Sequence, residues 1–320
     1  MNTLCIVLIA IASAIALITI LFFLLLLICF RMTFYVTKKQ KKHKDFDLPQ
    51  GRIYKPYHAQ ILKWMQEAKT YKREKVSVVS YDGLVLQGEY YHYFDGAPIE
   101  IMFHGYRGSA DRDLSGGIQR CYALKRNVLL VEQRSHGNSQ GKVITFGIRE
   151  RKDVVTWAEF AYNRFGENTP LILTGISMGA STVLMASSLK LPKTVASIVA
   201  DCGYNSPKEV ICHVVKSMHL PVWLFYPIIK LSARMFGKFN IEETSAEKEV
   251  AKTSLPIIFL HGDSDDFVPC EMSEKNYQAC ASKKRLEIFS GAGHGMAYLV
   301  DSDRYIKALK DFENEYKSIE

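Results

Sequence analysis

Hydrophobic and polar positions divide this chain into three regimes. From Leu4 to Phe30 the run is apolar apart from Ser13 and Thr19, and residues 1–30 carry no charged side chain. A helix rises 1.5 Å per residue and about 20 residues cross a bilayer core, so the stretch predicts a transmembrane helix with length to spare for tilt. A cleaved signal peptide needs a basic start, a shorter apolar core and a small-residue cleavage site. Met1, Asn2 and Thr3 supply no basic residue, and the apolar run is too long. The reading is a retained anchor over residues 1–30, with cleavage or a buried core helix as the alternatives.

Residues 31–55 form a polar, basic segment expected to be a juxtamembrane linker, and from residue 56 the pattern changes again. Short β-rich runs alternate with helical stretches through residues 56–320, which predicts an α/β domain with a mostly parallel sheet covered on both faces. Eight strands are expected: Lys75–Ser80, Val85–Tyr91, Ile99–Phe103, Asn127–Glu132, Leu171–Ile176, Val195–Ala200, Ile257–Leu260 and Arg285–Phe289. Asp82–Gly83 between the first two marks an antiparallel hairpin at one edge. Helices are expected over Tyr57–Tyr71, Gly116–Leu124, Ile148–Phe165, Met178–Leu189, Glu271–Ala281 and Asp303–Tyr316. The interval between Ala200 and Ile257 is too long for a plain crossover. Lys208–Met218 places Val210, Ile211, Val214, Val215 and Met218 on one helical face, and Pro221–Phe236 is apolar almost all round, with Pro227 expected to kink it. A small helical cap, about residues 204–254, is predicted over the carboxyl edge of the sheet.

With 48% apolar and 23% charged residues the chain is neither disordered, collagen-like nor a disulfide mini-scaffold. Its net charge of +8 is concentrated in the linker, where Arg31, Lys38, Lys39, Lys41, Lys42, Lys44, Arg52 and Lys55 face only Asp45 and Asp47. That local excess of six leaves two for residues 56–320, so no nucleic-acid partner is expected. Positive charge on the C-terminal flank of the apolar run predicts an N-out, C-in anchor with the main domain facing the cytoplasm. The collar either touches anionic headgroups, at about 1 kcal/mol per basic residue, or is a solvated stop-transfer flank. Seven cysteines, an odd number without metal-ligand spacing, read as structural thiols.

Gly175–Ile176–Ser177–Met178–Gly179 fits G-x-S-x-G, a string that a chain of this length shows roughly 0.1 times by chance. Its setting sharpens the signal: the apolar strand 170–174 runs into it, and the small-residue helix start Ala180–Ser181–Thr182 follows. A nucleophile at a sharp strand-to-helix turn needs glycines two residues to either side. The turn exposes Ser177 Oγ and aims the Met178 N–H from a helix N-terminus. A serine hydroxyl also needs a base to take its proton, and that base works best when a carboxylate orients it. Two further strand ends offer these partners in the order Ser, Asp, His. They are His261–Gly262–Asp263–Ser264–Asp265–Asp266–Phe267–Val268–Pro269 and Ser290–Gly291–Ala292–Gly293–His294–Gly295.

On these motifs residues 75–317 resemble the α/β-hydrolase superfamily, serine-nucleophile branch, particularly small bacterial esterases and prolyl-oligopeptidase-type catalytic domains. The resemblance implies that the acid is Asp265, from H-G-x-x-D-x-x-V-P. Asp263 and Asp266 then brace the loop or face solvent, and Asp201 is the rival acid. The base falls on His294. His104–Gly105–Tyr106–Arg107–Gly108 matches the family's H-G-x-x-G loop, which gives the Tyr106 N–H a place in the oxyanion hole beside Met178. Glu132–Gln133–Arg134–Ser135–His136–Gly137–Asn138–Ser139 resembles D-x-R-G-H-G-x-S but has Glu132 for Asp and Ser135 for Gly. That stretch is architectural in the family, so Arg134 and His136 stand outside the catalytic set, a substrate contact from Arg134 being the alternative. No phosphate loop follows a strand and His104, His136 and His261 lack zinc-site spacing, so no cofactor or metal is expected.

The function expected is a membrane-anchored serine hydrolase acting on an acyl ester, with a small-molecule or lipid-derived substrate. An aminopeptidase or acyl-peptidase using the same residues is the first alternative. A thioesterase or a C–C bond hydrolase is also open, as is a non-catalytic, membrane-tethered binding module.

Overall fold

The computed structural model describes residues 3–41 and 46–317. Met1 and Asn2 of the anchor, Lys42, Lys44 and Asp45 of the basic collar, and residues 318–320 lie outside the described residues.

Eight strands form one sheet: β1 (Arg73–Val79), β2 (Val85–Tyr91), β3 (Ile99–Phe103), β4 (Asn127–Val131), β5 (Leu171–Ile176), β6 (Val195–Asp201), β7 (Ile257–Gly262) and β8 (Lys284–Phe289). Their order is β1-β2-β4-β3-β5-β6-β7-β8. β2 pairs antiparallel with both β1 and β4, and every later pairing is parallel. The β1–β2 hairpin turns at Asp82–Gly83, where the Gly83 N–H donates to Ser80 O and Gly83 takes φ +85°. Residues of β3, β4 and β7 are buried throughout, because helices cover both faces. Along β5 the pleat sends Leu171 and Leu173 into one apolar layer with Trp157, Val183 and Leu184. Ile172 faces the opposite layer, with Phe289, Leu309 and Phe312.

One charged side chain interrupts this apolar pattern. Glu100, in the middle of β3, is fully buried between the guanidinium groups of Arg120 and Arg126, accepts from Thr174 Oγ1 at 2.8 Å, and is linked through Arg126 to Glu313. Burial alone would raise its pKa, but the two guanidinium groups hold it down at about 2.

Between β6 and β7 the chain leaves the sheet and builds the helices Pro207–Ser217, Val222–Ser232 and Ala246–Val250. The first starts as its sequence suggests, with Ser206 Oγ accepting the Glu209 N–H and Pro207 at the first helical position. The second continues past Pro227 and ends in a π-type turn over Ala233–Gly237.

The N-terminal helix runs from Thr3 to Thr33 and behaves as two parts. Up to Leu24 its side chains are exposed, whereas Leu26, Cys29 and Phe30 are buried against the rest of the molecule. Phe30 meets Phe236 with ring centroids 5.5 Å apart, and Phe34 meets Phe239 at 5.3 Å. The segment read as a linker is therefore anchored at its start. Tyr35 forms a β-bridge with Val143, the Val36 N–H donates to Lys142 O at 2.8 Å, and the Ile144 N–H donates to Phe34 O at 2.8 Å. Phe34 and Val36, apolar residues among basic ones, are buried by this pairing.

Candidate active site

Ser177 stands at the end of β5, where the strand turns into the buried helix Met178–Ala186. Its backbone takes φ +55° and ψ −120°, a conformation that costs a non-glycine residue about 1–3 kcal/mol and survives only where the surroundings enforce it. Here they do. The Ser177 N–H donates to Asp201 O at 2.8 Å, and Ser177 O accepts the Ser181 N–H at 3.1 Å. The flanking glycines permit the close approach: a Cβ on Gly179 would lie 2.0 Å from Phe103 O, and one on Gly175 would lie 2.2 Å from the Gly179 carbonyl.

Three side chains from three strand ends then form a hydrogen-bonded row. His294 Nε2 lies 2.8 Å from Ser177 Oγ, and His294 Nδ1 lies 2.7 Å from Asp265 Oδ2. A carboxylate only accepts, so the imidazole proton sits on Nδ1 and Nε2 is free to take the hydroxyl proton. Asp265 Oδ1 accepts the N–H groups of Phe267, at 2.9 Å, and Val268, at 2.8 Å. Burial opposes ionisation of Asp265, but hydrogen bonds from His261, His294 and the Val268 N–H together hold its carboxyl well below the usual carboxylate range. His261 Nε2 faces Asp265 Oδ2 at 3.2 Å and Val268 O at 2.8 Å, two acceptors, and so carries its proton there.

Asp201 has a different partner. It is buried, accepts from Tyr305 Oη at 2.9 Å, and its pKa is raised by burial. Asp263 accepts the Gly291 N–H at 2.7 Å and so ties the β7 loop to the histidine loop, the bracing role expected of it. His213 Nε2 meets the backbone carbonyl of Asp266 at 3.0 Å.

The loop after β3 is held from several sides. Gly105 N–H donates to Asp113 Oδ2 at 3.0 Å, Arg107 N–H to His136 Nε2 at 3.0 Å, and Gly108 N–H to Gly105 O at 3.2 Å. Gln133 donates its side-chain amide to His104 O and its own N–H to His104 Nε2. None of these bonds uses the Tyr106 N–H. Arg134 is buried in ion pairs, 2.6 Å from Asp153 and 2.9 Å from Asp82, and lines neither of the cavities that border Ser177.

Ser177 borders two cavities of different character. One, of about 340 Å³, has a mixed lining that includes Gln50, Tyr54, Arg112, Asp113 and Ser115 together with His294. The other, of about 330 Å³, is almost wholly apolar and runs beneath the cap along Val210, Ile211, Val214 and Phe225. Cys202, Asp265 and His294 also approach within 4.8 Å of one another. Burial pushes the Cys202 thiol well up, and the other two groups, Asp265 and His294, already hydrogen-bond to each other.

Several supporting residues carried no readable sequence signal. Tyr54 donates its hydroxyl to His294 O at 2.7 Å across 240 positions of sequence, and the Phe267 ring meets the His294 ring edge-on at 5.1 Å. The contribution of His261 was visible only as the first residue of the H-G-x-x-D stretch.

No protein-family profile matches this chain. The Bacillus subtilis protein YqkD is 27% identical over 187 residues, which cover 58% of this chain and 61% of YqkD, so the match spans less than two thirds of that relative. Among solved structures, the Pyrococcus furiosus esterase Pf2001 superposes with a TM-score of 0.65 at 20% identity, over 86% of this chain and 99% of the esterase. A Pyrococcus horikoshii acylaminoacyl peptidase superposes with a TM-score of 0.57 at 16% identity, over 82% of this chain and 43% of the peptidase. At such identities the likeness speaks to the architecture, which is the α/β-hydrolase fold with an apolar N-terminal helix long enough to cross a membrane.

Proposed function

We propose that this chain is a membrane-anchored serine hydrolase that cleaves an ester between an apolar acyl group and a more polar alcohol. The observation that carries the reading is the position of Ser177 Oγ, 2.8 Å from His294 Nε2 and at the junction of an apolar and a mixed cavity. In this scheme His294 Nε2 takes the hydroxyl proton as Ser177 Oγ attacks the acyl carbonyl, and Asp265 stabilises the imidazolium that forms. The N–H groups of Tyr106 and Met178 hold the developing oxyanion, a contribution worth about 10²–10³ in rate per donor. His294 returns the proton to the departing alcohol, and water repeats the sequence on the acyl-serine. The apolar cavity takes the acyl chain and the mixed cavity the leaving group.

The apolar helix, with Arg31 in its last turn and Lys38, Lys39 and Lys41 after it, supports a single span with the catalytic domain on the cytoplasmic side. The fold likeness to an acylaminoacyl peptidase supports a second reading, cleavage of an acyl-peptide bond by the same residues. A fluorophosphonate probe tests the common core: wild-type protein is expected to be labelled and Ser177→Ala is not. Folded wild-type protein that resists labelling would leave the non-catalytic binding module as the surviving interpretation. Comparing p-nitrophenyl esters with acyl-amino-acid amides then separates esterase from peptidase.

A further inference from the structure

The cavity beneath the cap is not closed by the catalytic domain alone. On the side facing the N-terminal helix its wall is Leu25, Ile28, Cys29, Met32 and Thr33. These positions lie in the turns where one side of the helix, Leu26, Cys29 and Phe30, becomes buried, while Ile28 and Met32 keep an exposed side. Residues 3–24 are exposed and, apart from Thr3, Ser13 and Thr19, apolar, and at 1.5 Å per residue they span about 33 Å, close to the thickness of a bilayer's hydrocarbon core. The next turns pack against Val222–Ser232 and border the cavity. The neighbouring cap leaves Trp223, Leu224, Leu231, Met235 and Phe236 exposed, an apolar rim beside the point where the helix would emerge from the lipid.

The same end of the helix is tied to the loop after β3. Tyr106 Oη donates to Thr33 O at 2.7 Å. Arg107 donates from its guanidinium to Met32 O at 2.8 Å and Tyr35 O at 3.2 Å. A cation on the unpaired carbonyls of a helix C-terminus satisfies them and complements the helix dipole. The cavity, Ser177 and the domain-facing end of the helix are thus continuous with one another.

We propose that the last turns of the helix Thr3–Thr33 are a substrate-binding wall, which makes the anchor a determinant of acyl-chain specificity, and that the substrate is an acyl lipid whose chain passes from the adjoining leaflet into the cavity between helix and cap. The proposal rests on Ser177 being the acyl-accepting nucleophile. Depth of chain insertion then sets the rate: each methylene buried is worth about 0.8 kcal/mol, close to a factor of four.

The test uses full-length protein in lipid nanodiscs and the ratio of kcat/KM for p-nitrophenyl dodecanoate to that for the acetate. Ile28→Trp narrows the cavity from the helix side, Val214→Trp narrows it from the cap side, and Leu17→Trp alters only the exposed part of the span. If tryptophan denies three methylenes, the first two variants lower the ratio by about sixtyfold while Leu17→Trp leaves it unchanged. Ile28→Ala widens the cavity and moves the preferred chain longer, a readout that survives should Ile28→Trp fold poorly. A ratio that shifts with Val214→Trp but with neither Ile28 variant overturns the role of the helix. A ratio insensitive to all of them removes the cavity as the acyl site. Wild-type protein that no fluorophosphonate labels is a separate result, and it defeats the underlying hydrolase reading instead.

Discussion

Replacing Asp265 with asparagine changes one atom and reverses a chain of donors. Asp265 Oδ1 accepts two backbone N–H groups, from Phe267 and Val268, so the single carbonyl oxygen of an asparagine is retained there. The new –NH₂ then occupies the Oδ2 position, 2.7 Å from His294 Nδ1 and 3.2 Å from His261 Nε2. A donor facing Nδ1 forces that nitrogen to accept, which moves the imidazole proton to Nε2, against Ser177 Oγ. The base is then occupied at the one atom where it must receive a proton. Loss of the correct tautomer in such a row lowers kcat by about 10⁴, or about 5.5 kcal/mol at the transition state. KM changes little, because Asp265 borders neither cavity. Ester hydrolysis under single-turnover conditions measures the acylation rate, and circular dichroism confirms that the variant is folded. A folded Asp265→Asn protein that loses less than tenfold would refute the assignment and direct attention to another carboxylate.

Asp201→Asn provides the contrast: it preserves the hydrogen bond from Tyr305 through the amide oxygen and leaves the acylation rate within about tenfold of wild type, whereas a loss near 10⁴ would make Asp201 the acid. Glu100→Gln breaks a buried ionic network and leaves two guanidinium groups short of an anion, so denaturant unfolding should register a loss of about 3–5 kcal/mol. Because Glu100 has a folded-state pKa of about 2 against an ordinary 4.5, its stabilisation is complete above pH 4.5 and is lost as pH falls from there toward 2. The unfolding free energy of wild type should therefore fall more steeply across that window than that of Glu100→Gln, and parallel slopes would show that Glu100 is not held ionised.

Most of the sheet could be read from the chain because its strands are short apolar runs ending in glycine, aspartate or histidine, as at Gly175, Asp201 and His261. The carboxyl ends of β5, β7 and β8 carried the nucleophile, acid and base candidates for the same reason, since chemistry-bearing residues stand out where an apolar run stops. What stayed hidden depends on contacts between distant segments. Glu100 reads as an anomaly in an apolar strand until Arg120 and Arg126 are seen beside it. Periodicity could not separate the exposed from the protein-facing part of the N-terminal helix, because Leu17 and Leu26 are equally apolar. Tyr54 gave no hint of its bond to His294, as a tyrosine in a basic segment has no pattern to mark it.

The N-terminal fifth of this chain works like scaffolding around a doorway. One upright, at Thr33, is pinned to the strand-β3 turn by a phenol, and the other, at Tyr54, grips the imidazole-bearing turn from the opposite jamb. Trimming the sequence to obtain a soluble fragment would therefore dismantle the frame in stages. A start after residue 35 forfeits the first fastening and a start after residue 54 forfeits both, even though Ser177, Asp265 and His294 remain untouched.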